Sequence, residues 1–138
     1  MAPSGGTPIR VFLVAEHADL RQSLEMLLAE EGMVICRWAS DAATALRYMP
    51  AEADVVIMGL SRGGEGGLGL LRAMASRPGS PPGLVLSAND DAQSVVQARN
   101  AGARGYVTNR EAPETLARAI REVIAGRTWS PLLEKKQD

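Results

Sequence analysis

Short apolar runs alternate with longer segments of helical periodicity along this chain. The apolar runs have the length and composition of buried strands, and they are residues 9–15, 33–39, 55–58, 83–87 and 104–108. Between and after them, apolar residues recur every three or four positions, in residues 19–31, 40–49, 68–77, 91–101 and 113–125. The pattern predicts five consecutive βα units.

Several residues predict where these helices begin, end and face the core. Ser40 is expected to be the N-cap of the second helix, Pro113 to open the fifth, and Gly126 to close it. The predicted inward residues of the last two helices are Ala92, Val95, Val96 and the aliphatic stem of Arg99, then Leu116, Ile120, Val123 and Ile124.

Strict alternation of strands and helices favours a parallel sheet covered by helices on both faces, with right-handed crossovers. We therefore predict an α/β fold: a flavodoxin-like, doubly wound (βα)5 three-layer sandwich with strand order 2-1-3-4-5. In such sheets the functional site lies beyond the carboxyl ends of the strands, next to the switch in strand order. The residues expected at that edge are Ala15, Glu16, Gly59, Ser87 and Asn109.

The composition is that of one ordinary globular domain. The chain has 138 residues, 46% hydrophobic and 22% charged, which excludes a disordered protein. Its formal net charge of −1 gives no bulk attraction to nucleic acid or to anionic lipid. We therefore expect protein partners, with no nucleic acid or membrane bound by this domain.

Cysteine use and the first residues suggest a cellular compartment. The single cysteine, Cys36, cannot form an internal disulfide, and its strand-like setting predicts a small buried apolar residue. Residues 1–8 are small and polar, and no window approaches the roughly 18 apolar residues of a membrane span. A cytoplasmic protein that is neither exported nor membrane-spanning is expected.

Four segments resemble the receiver domains of two-component response regulators, most closely those preceding LuxR-type helix-turn-helix domains (NarL/FixJ-like). They are IRVFLVAEHADLRQSL, DVVIMGLSRGGEGGLGLLR, VLSAND and NAGARGYVTNREAPETLARAIREVIAGR. The resemblance implies a chemotaxis-regulator-like fold for residues 9–127. Residues 1–8 would then be a flexible N-terminus, and residues 128–138 a tail or truncated linker too short for a helix-turn-helix. If the chain is an excised fragment, the parent is expected to be a transcription factor.

The catalytic pattern of that family is not retained. The resemblance implies an acidic pair after strand one, an aspartate after strand three, a serine or threonine after strand four and a lysine after strand five. The matching residues here are Ala15 and Glu16, Gly59, Ser87, and Asn109. The aspartate would attack the phosphoryl donor and help hold Mg²⁺, and the lysine would pair with the phosphoryl oxygens. We expect no catalytic residue, no cofactor, and Mg²⁺ binding that is weak or absent, with Glu16 as a weak candidate ligand.

The aspartate and the lysine that the resemblance implies are both replaced in this chain. Removing one member of a partly buried ion pair leaves an uncompensated charge, which costs about 3–5 kcal/mol. Gly59 and Asn109 lack both the carboxylate and the ammonium. This indicates joint conversion to a neutral site rather than a single knockout.

Other residues leave alternatives open. Asp54 would lie roughly 16 Å from Gly59 at the wrong end of an extended strand, Glu65 could swing in from a loop, and Arg110 should face away. Ser87 would contact a phosphoryl oxygen or satisfy the backbone. Tyr106 would be the aromatic that turns inward or outward with activation, or a half-buried strand residue.

A bare G-x-G-x-x-G formed by Gly64, Gly66 and Gly69 could suggest nucleotide binding, but it follows the third strand instead of the first. A mobile loop is the simpler interpretation.

Two functional hypotheses follow. The first is a pseudo-receiver, a regulatory and protein-interaction module that works without phosphorylation. It could form a homodimer through helix 4, strand 5 and helix 5 or through helices 1 and 5, and could bind a small molecule in the vacated pocket. The alternative is a phosphorylatable receiver of a two-component phosphorelay with a non-standard acceptor.

Overall fold

The computed structural model describes residues 7–48, 52–60, 65–88, 91–109, 111 and 113–130. The strands within these residues are Ile9–Val14 (β1), Met33–Ala39 (β2), Val55–Leu60 (β3), Gly83–Ser87 (β4) and Gly105–Thr108 (β5). The helices are Ala18–Ala29 (α1), Ala42–Arg47 (α2), Glu65–Ala75 (α3), Ala92–Ala101 (α4) and Pro113–Ile124 (α5). The alternation of strands and helices is confirmed.

All strand pairs are parallel, and the sheet has the order β2-β1-β3-β4-β5. The flavodoxin-like, doubly wound topology is therefore confirmed. β1 lies between β2 and β3: its residue Val11 pairs with Ile35 of β2 and with Val55 of β3. The order reverses between β1 and β3, so the carboxyl ends of these two strands flank the crevice in which sites of this fold lie.

The core has two halves, one on each face of the sheet. Because successive strand side chains point to opposite faces, Val11 and Leu13 join the half covered by α1 and α5, whereas Phe12 and Val14 join the half covered by α2, α3 and α4. Burial on both faces fixes the register of the sheet.

The inward face of α4 differs from the predicted one. Val95 is buried as expected, but Ala92, Val96 and Arg99 are exposed, and Ala98 and Ala101 take the inward positions. Apolar periodicity alone did not reveal that two alanines occupy the buried strip of α4. The prediction for α5 was wrong at Ile124, which is 38% exposed at the end of the helix.

Cys36 is exposed, so the prediction of a buried thiol was wrong. The cysteine lies in β2, which forms one edge of the sheet. The neighbouring Val34 is 44% exposed as well, which shows that the covering helices leave this part of the strand open to solvent.

The third unit also differs from the prediction. β3 extends to Leu60, beyond the predicted end at Met58, so Gly59 lies within the strand, next to its last residue. Gly66 and Gly69 lie in α3 and not in a mobile loop. Gly69 lies beyond the first turn of the helix, where a backbone N–H bonds to the carbonyl four residues earlier and is not free to bind a pyrophosphate. Gly64 lies outside the described residues.

In the ranges given above, no helix is both long and apolar enough to span a lipid bilayer.

Asp41, and not Ser40, is the N-cap of α2: its Oδ1 accepts a hydrogen bond from the Thr44 N–H at 2.7 Å. The bonds from Thr44 hold the pKa of the Asp41 carboxyl below its ordinary value of 3.8. Because the pKa of Asp41 is lower in the folded chain than in the unfolded chain, its carboxylate stabilises the folded state at any pH above the unfolded-state pKa. This stabilisation is lost as pH falls through the folded-state pKa.

We therefore expect Asp41→Ala to lower the thermal unfolding midpoint near neutral pH, and the difference from the unaltered chain to shrink in strong acid. Thermal unfolding followed by circular dichroism from pH 7 to pH 2 measures this. Ser40→Ala is the matched control and should leave the midpoint unchanged. Equal effects of the two substitutions would contradict the assignment of the cap.

Candidate functional site

The carboxyl ends of β1, β3, β4 and β5 bring the predicted site residues to one edge of the sheet. Ala15 directly follows β1, and Gly59 lies next to the last residue of β3, where it pairs with Leu86. Ser87 ends β4 and pairs with Thr108 at the end of β5. The Asn109 N–H donates to the Ser87 carbonyl oxygen at 2.9 Å, joining the last two strand ends.

Gly59 is covered by an apolar side chain. Its backbone does not have the positive φ that favours glycine, so its conformation would accept other residues. A Cβ built there would lie 2.9 Å from Cδ2 of Leu20 and 3.4 Å from Cβ of Ala15. Leu20, from the first turn of α1, therefore lies where a side chain at position 59 would begin.

Ala15 is enclosed by hydrogen bonds and by an indole. Its N–H donates to the Ala39 carbonyl at 3.0 Å, and its own carbonyl accepts from Trp38 Nε1 at 2.9 Å. The Arg21 guanidinium lies 4.8 Å from the centre of the Trp38 ring, within cation–π range. Trp38 and Leu20 are site neighbours that the sequence reasoning missed.

Glu16 carries the one carboxylate among the five predicted positions, and it faces solvent. Its side chain is 63% exposed, and its Oε1 lies 3.8 Å from Nε2 of His17, an ion pair only when the histidine is protonated. Across the described part of the chain, no three His, Cys, Asp or Glu residues are grouped as a metal site would need. Hard cations such as Mg²⁺ need several oxygen ligands, and Ala15 and Gly59 have no side-chain oxygen. The residues at these positions do not fit the family's metal.

The end of β5 is held by a residue that the sequence reasoning also missed. Glu111 accepts hydrogen bonds from the Thr108 N–H at 2.8 Å and from Thr108 Oγ1 at 3.1 Å, and its own N–H donates to the Thr108 carbonyl at 3.2 Å. The spacing of Thr108 and Glu111 is that of a capping box, but Thr108 ends β5 and α5 begins only at Pro113, so the pair closes a turn and does not cap the helix. This carboxylate is committed to the turn that precedes α5.

Ser87 and Tyr106 are both buried, at 6% and 3% exposure. Tyr106 faces inward and is more buried than the half-buried strand residue considered as the alternative, and it packs in the half of the core under α3 and α4. Ser87 lies at a strand end with its carbonyl bonded to Asn109. Their part in switching stays a prediction.

The alternative acceptor Asp54 lies at the opposite end of the sheet. Its N–H donates to the Arg10 carbonyl at 2.8 Å, and its Oδ2 accepts from the Arg10 N–H at 2.9 Å, near the start of β1. The side chain of Glu65 and all of Arg110 lie outside the described residues.

Another carboxylate near this edge acts as a helix cap. Asp91 precedes α4, and its Oδ1 accepts from the Ser94 N–H at 3.0 Å. Hydrogen bonds from the Ser94 side chain and backbone lower the pKa of Asp91. Whereas Glu111 binds the end of β5, Asp91 is bound to the N-terminus of its own helix.

Comparison with known proteins places these features in a family. The sequence profile described as the response regulator receiver domain matches residues 11–121. Response regulator UvrY of Escherichia coli is 30% identical over 123 residues, covering 88% of this chain and 56% of that protein. The DNA-binding transcriptional activator DevR/DosR of Mycobacterium tuberculosis is 31% identical over 122 residues, covering 87% of this chain and 56% of that protein.

Solved structures agree with this assignment. A two-component response regulator of the LuxR family from Aurantimonas sp. has a TM-score of 0.83 and 30% identity, with 93% of this chain and 94% of that chain covered. The receiver domain of the putative response regulator NarL from Mycobacterium tuberculosis has a TM-score of 0.79 at 24% identity, with 88% of this chain and 100% of that chain covered, and supports the fold alone. The chain spans little more than half the length of the two curated relatives described above. By its sequence profile, its strand order and these relatives, this chain belongs to the response regulator receiver domain family.

Proposed function

We propose that this domain is a pseudo-receiver: a regulatory and protein-interaction module that works without an aspartyl phosphate and catalyses no reaction of its own. The observation that carries the proposal is Leu20 Cδ2, 2.9 Å from where a Cβ of residue 59 would stand. At the position of the family's nucleophile there is no side-chain oxygen, and the end of the Leu20 side chain lies where such a side chain would begin.

The surroundings support the same function. Transfer of a phosphoryl group needs a nucleophile, a divalent cation and a positive charge that stabilises the equatorial oxygens. Gly59 offers no nucleophile, Ala15 no metal ligand and Asn109 no charge. The nearby carboxylate of Glu111 is held by Thr108, and Asp54 is bonded at the far end of the sheet. The phosphorelay alternative therefore has no favourable acceptor among the described residues.

Signalling in such a domain depends on protein contacts. A ligand shifts a conformational equilibrium only through its different affinity for the two states. A small molecule at the former phosphorylation site would have to displace Leu20, so contacts on the surface are the better-supported input. We propose a homodimer through α4, β5 and α5 or through α1 and α5, without Mg²⁺ as a cofactor. Light scattering over a wide concentration range tests this, and a monomer throughout would contradict it.

We place the domain in the cytoplasm and in transcription control, where its curated relatives suggest a role. One of those relatives is described as a DNA-binding transcriptional activator. With a net charge of −1 this domain gains little from phosphate contacts, so any DNA contact would belong to a segment outside it. Electrophoretic mobility shift with the 138-residue chain tests this, and salt-dependent binding by it would contradict the assignment.

Incubation with acetyl phosphate and Mg²⁺ followed by intact-mass measurement tests directly whether this chain can be phosphorylated. We expect no added phosphoryl group on this chain. A phosphorylatable receiver treated in parallel shows that the donor is active. A stoichiometric adduct on this chain would overturn the proposal.

A further inference from the structure

The segment that follows α5 returns to the sheet and lies along the outer edge of β5. Trp129 forms a parallel bridge with Gly105. The Trp129 N–H donates to the Arg104 carbonyl, and the Trp129 carbonyl accepts from the Tyr106 N–H, both at 3.0 Å. We call residues 128–130 the edge strap. Without it, β5 would present unpaired backbone groups to any extended chain.

Side chains hold the edge strap in place on one side. The Trp129 ring packs against the half of the core under α1 and α5. The Arg118 guanidinium of α5 lies 5.3 Å from the centre of that ring, within cation–π range. Ser130 is 7% exposed. The docked position is therefore a specific one, with both backbone and side-chain partners.

On the side that faces α4, the edge strap is less well packed and less fully hydrogen-bonded. A cavity of about 220 Å³ separates the edge strap from that helix and is lined by Val95, Arg99, Tyr106 and the strap itself, among others. Trp129 Nε1 and Ser130 Oγ are buried without a hydrogen-bond partner in the described part of the chain. Polar groups buried without a partner weaken the state that buries them, and both would bond to water on release. These two groups make docking less favourable than a fully hydrogen-bonded contact would be.

We propose that the outer edge of β5 is a docking surface whose occupant is the chain's own edge strap, and that docking is coupled to Tyr106. The coupling follows from shared atoms: the N–H of Tyr106 binds the strap, while its side chain packs beneath α3 and α4. Movement of Tyr106 changes the edge that holds Trp129, and release of Trp129 frees the strand that carries Tyr106. Coupling between two sites is reciprocal.

The edge strap lies on a surface that a partner could use. While the edge strap is docked it occupies the beginning of the β5 edge, at Gly105 and Tyr106, which is part of the surface formed by α4, β5 and α5. Release opens that edge to a partner. None of the described contacts of the edge strap involves Gly59 or its neighbours, so release of the strap does not depend on whether that site can be phosphorylated.

Amide hydrogen exchange measured by NMR tests the forward direction. In Trp129→Ala we expect the Tyr106 N–H to exchange at least about tenfold faster, as local opening would cause, and the Ile57 N–H in β3 to change less than about twofold. Trp38→Ala is the matched control, a half-buried tryptophan stacked with arginine on the other edge strand. It should leave the Tyr106 N–H unchanged. Arg118→Ala, which keeps the tryptophan, should give a smaller acceleration of the same amide.

Fluorescence tests the reverse direction. The chain has two tryptophans, so a Trp38→Phe background isolates the emission of Trp129. Adding Tyr106→Ala should shift that emission to the red as the ring enters water, whereas adding Tyr48→Ala, at a residue already 43% exposed, should not. Unchanged Tyr106 exchange in both Trp129→Ala and Arg118→Ala, or unchanged emission with Tyr106→Ala, would overturn the coupling. Neither result bears on phosphodonor labelling, so the two proposals fail separately.

Discussion

A chain carrying Ala15→Asp, Gly59→Asp and Asn109→Lys is expected to take up one phosphoryl group from acetyl phosphate in the presence of Mg²⁺. The three substitutions restore the metal-binding acid, the nucleophile and the cation at strand ends that the sheet already brings together. The obstacle at position 59 is the far end of the flexible Leu20 side chain, which can turn to another rotamer. Intact-mass measurement against the unaltered chain detects the adduct.

The single variant Gly59→Asp is the informative control for that experiment. It places a carboxylate beside Leu20 without a cation, so we expect no adduct and a loss of about 1–3 kcal/mol in the free energy of unfolding, the cost of a buried polar group without a partner. Adding Asn109→Lys should recover part of that loss. Full labelling of the single variant would show that the remaining residues already support the chemistry, contrary to a pseudo-receiver.

Ile120→Ala is expected to lower the free energy of unfolding by about 2–5 kcal/mol, the range for truncating a buried aliphatic side chain to alanine. Ile120 is fully buried on α5, within the half of the core that includes Leu28 of α1 and Ile57 of β3. Truncation removes these contacts and leaves a cavity between helix and sheet. Urea unfolding followed by circular dichroism measures the loss.

The matched control lies on the same helix. Ile124→Ala removes the same atoms one turn later, where the side chain is 38% exposed, and we expect a loss below about 1 kcal/mol. A larger loss at Ile124 than at Ile120 would contradict the position of the core under α5. Equal m-values in both variants would show that the comparison concerns stability and not the compactness of the unfolded chain.

The fold was largely predictable because its signals are local and repeated. Apolar runs such as residues 83–87 match β4 in both bounds, and Pro113 opens α5 as expected. The predictions failed where the sequence pattern is compatible with more than one inward face of a helix or with more than one N-cap residue. Val96 and Ala98 could each have pointed inward on α4, and the sheet selected the alanine. Ser40 and Asp41 are both suitable caps, and the position of α2 selected the aspartate.

The site was predictable in its composition but not in its contacts. The order of the strands and the end of each strand place Ala15, Gly59 and Ser87 at one edge, and the structure brings them there. That Leu20 covers Gly59 depends on how α1 packs on the sheet. The bond from Trp38 to Ala15 spans 23 residues, and no local pattern predicts it.

The sequence by itself determined the succession of strands and helices, the absence of a carboxylate at positions 15 and 59 and the absence of a cation at position 109, since these follow from residue type and spacing. Only the tertiary structure decided what lies over Gly59 and that residues 128–130 pair with β5. Those contacts join residues distant along the chain, and their geometry depends on how helices and edge strands pack after the sheet has formed.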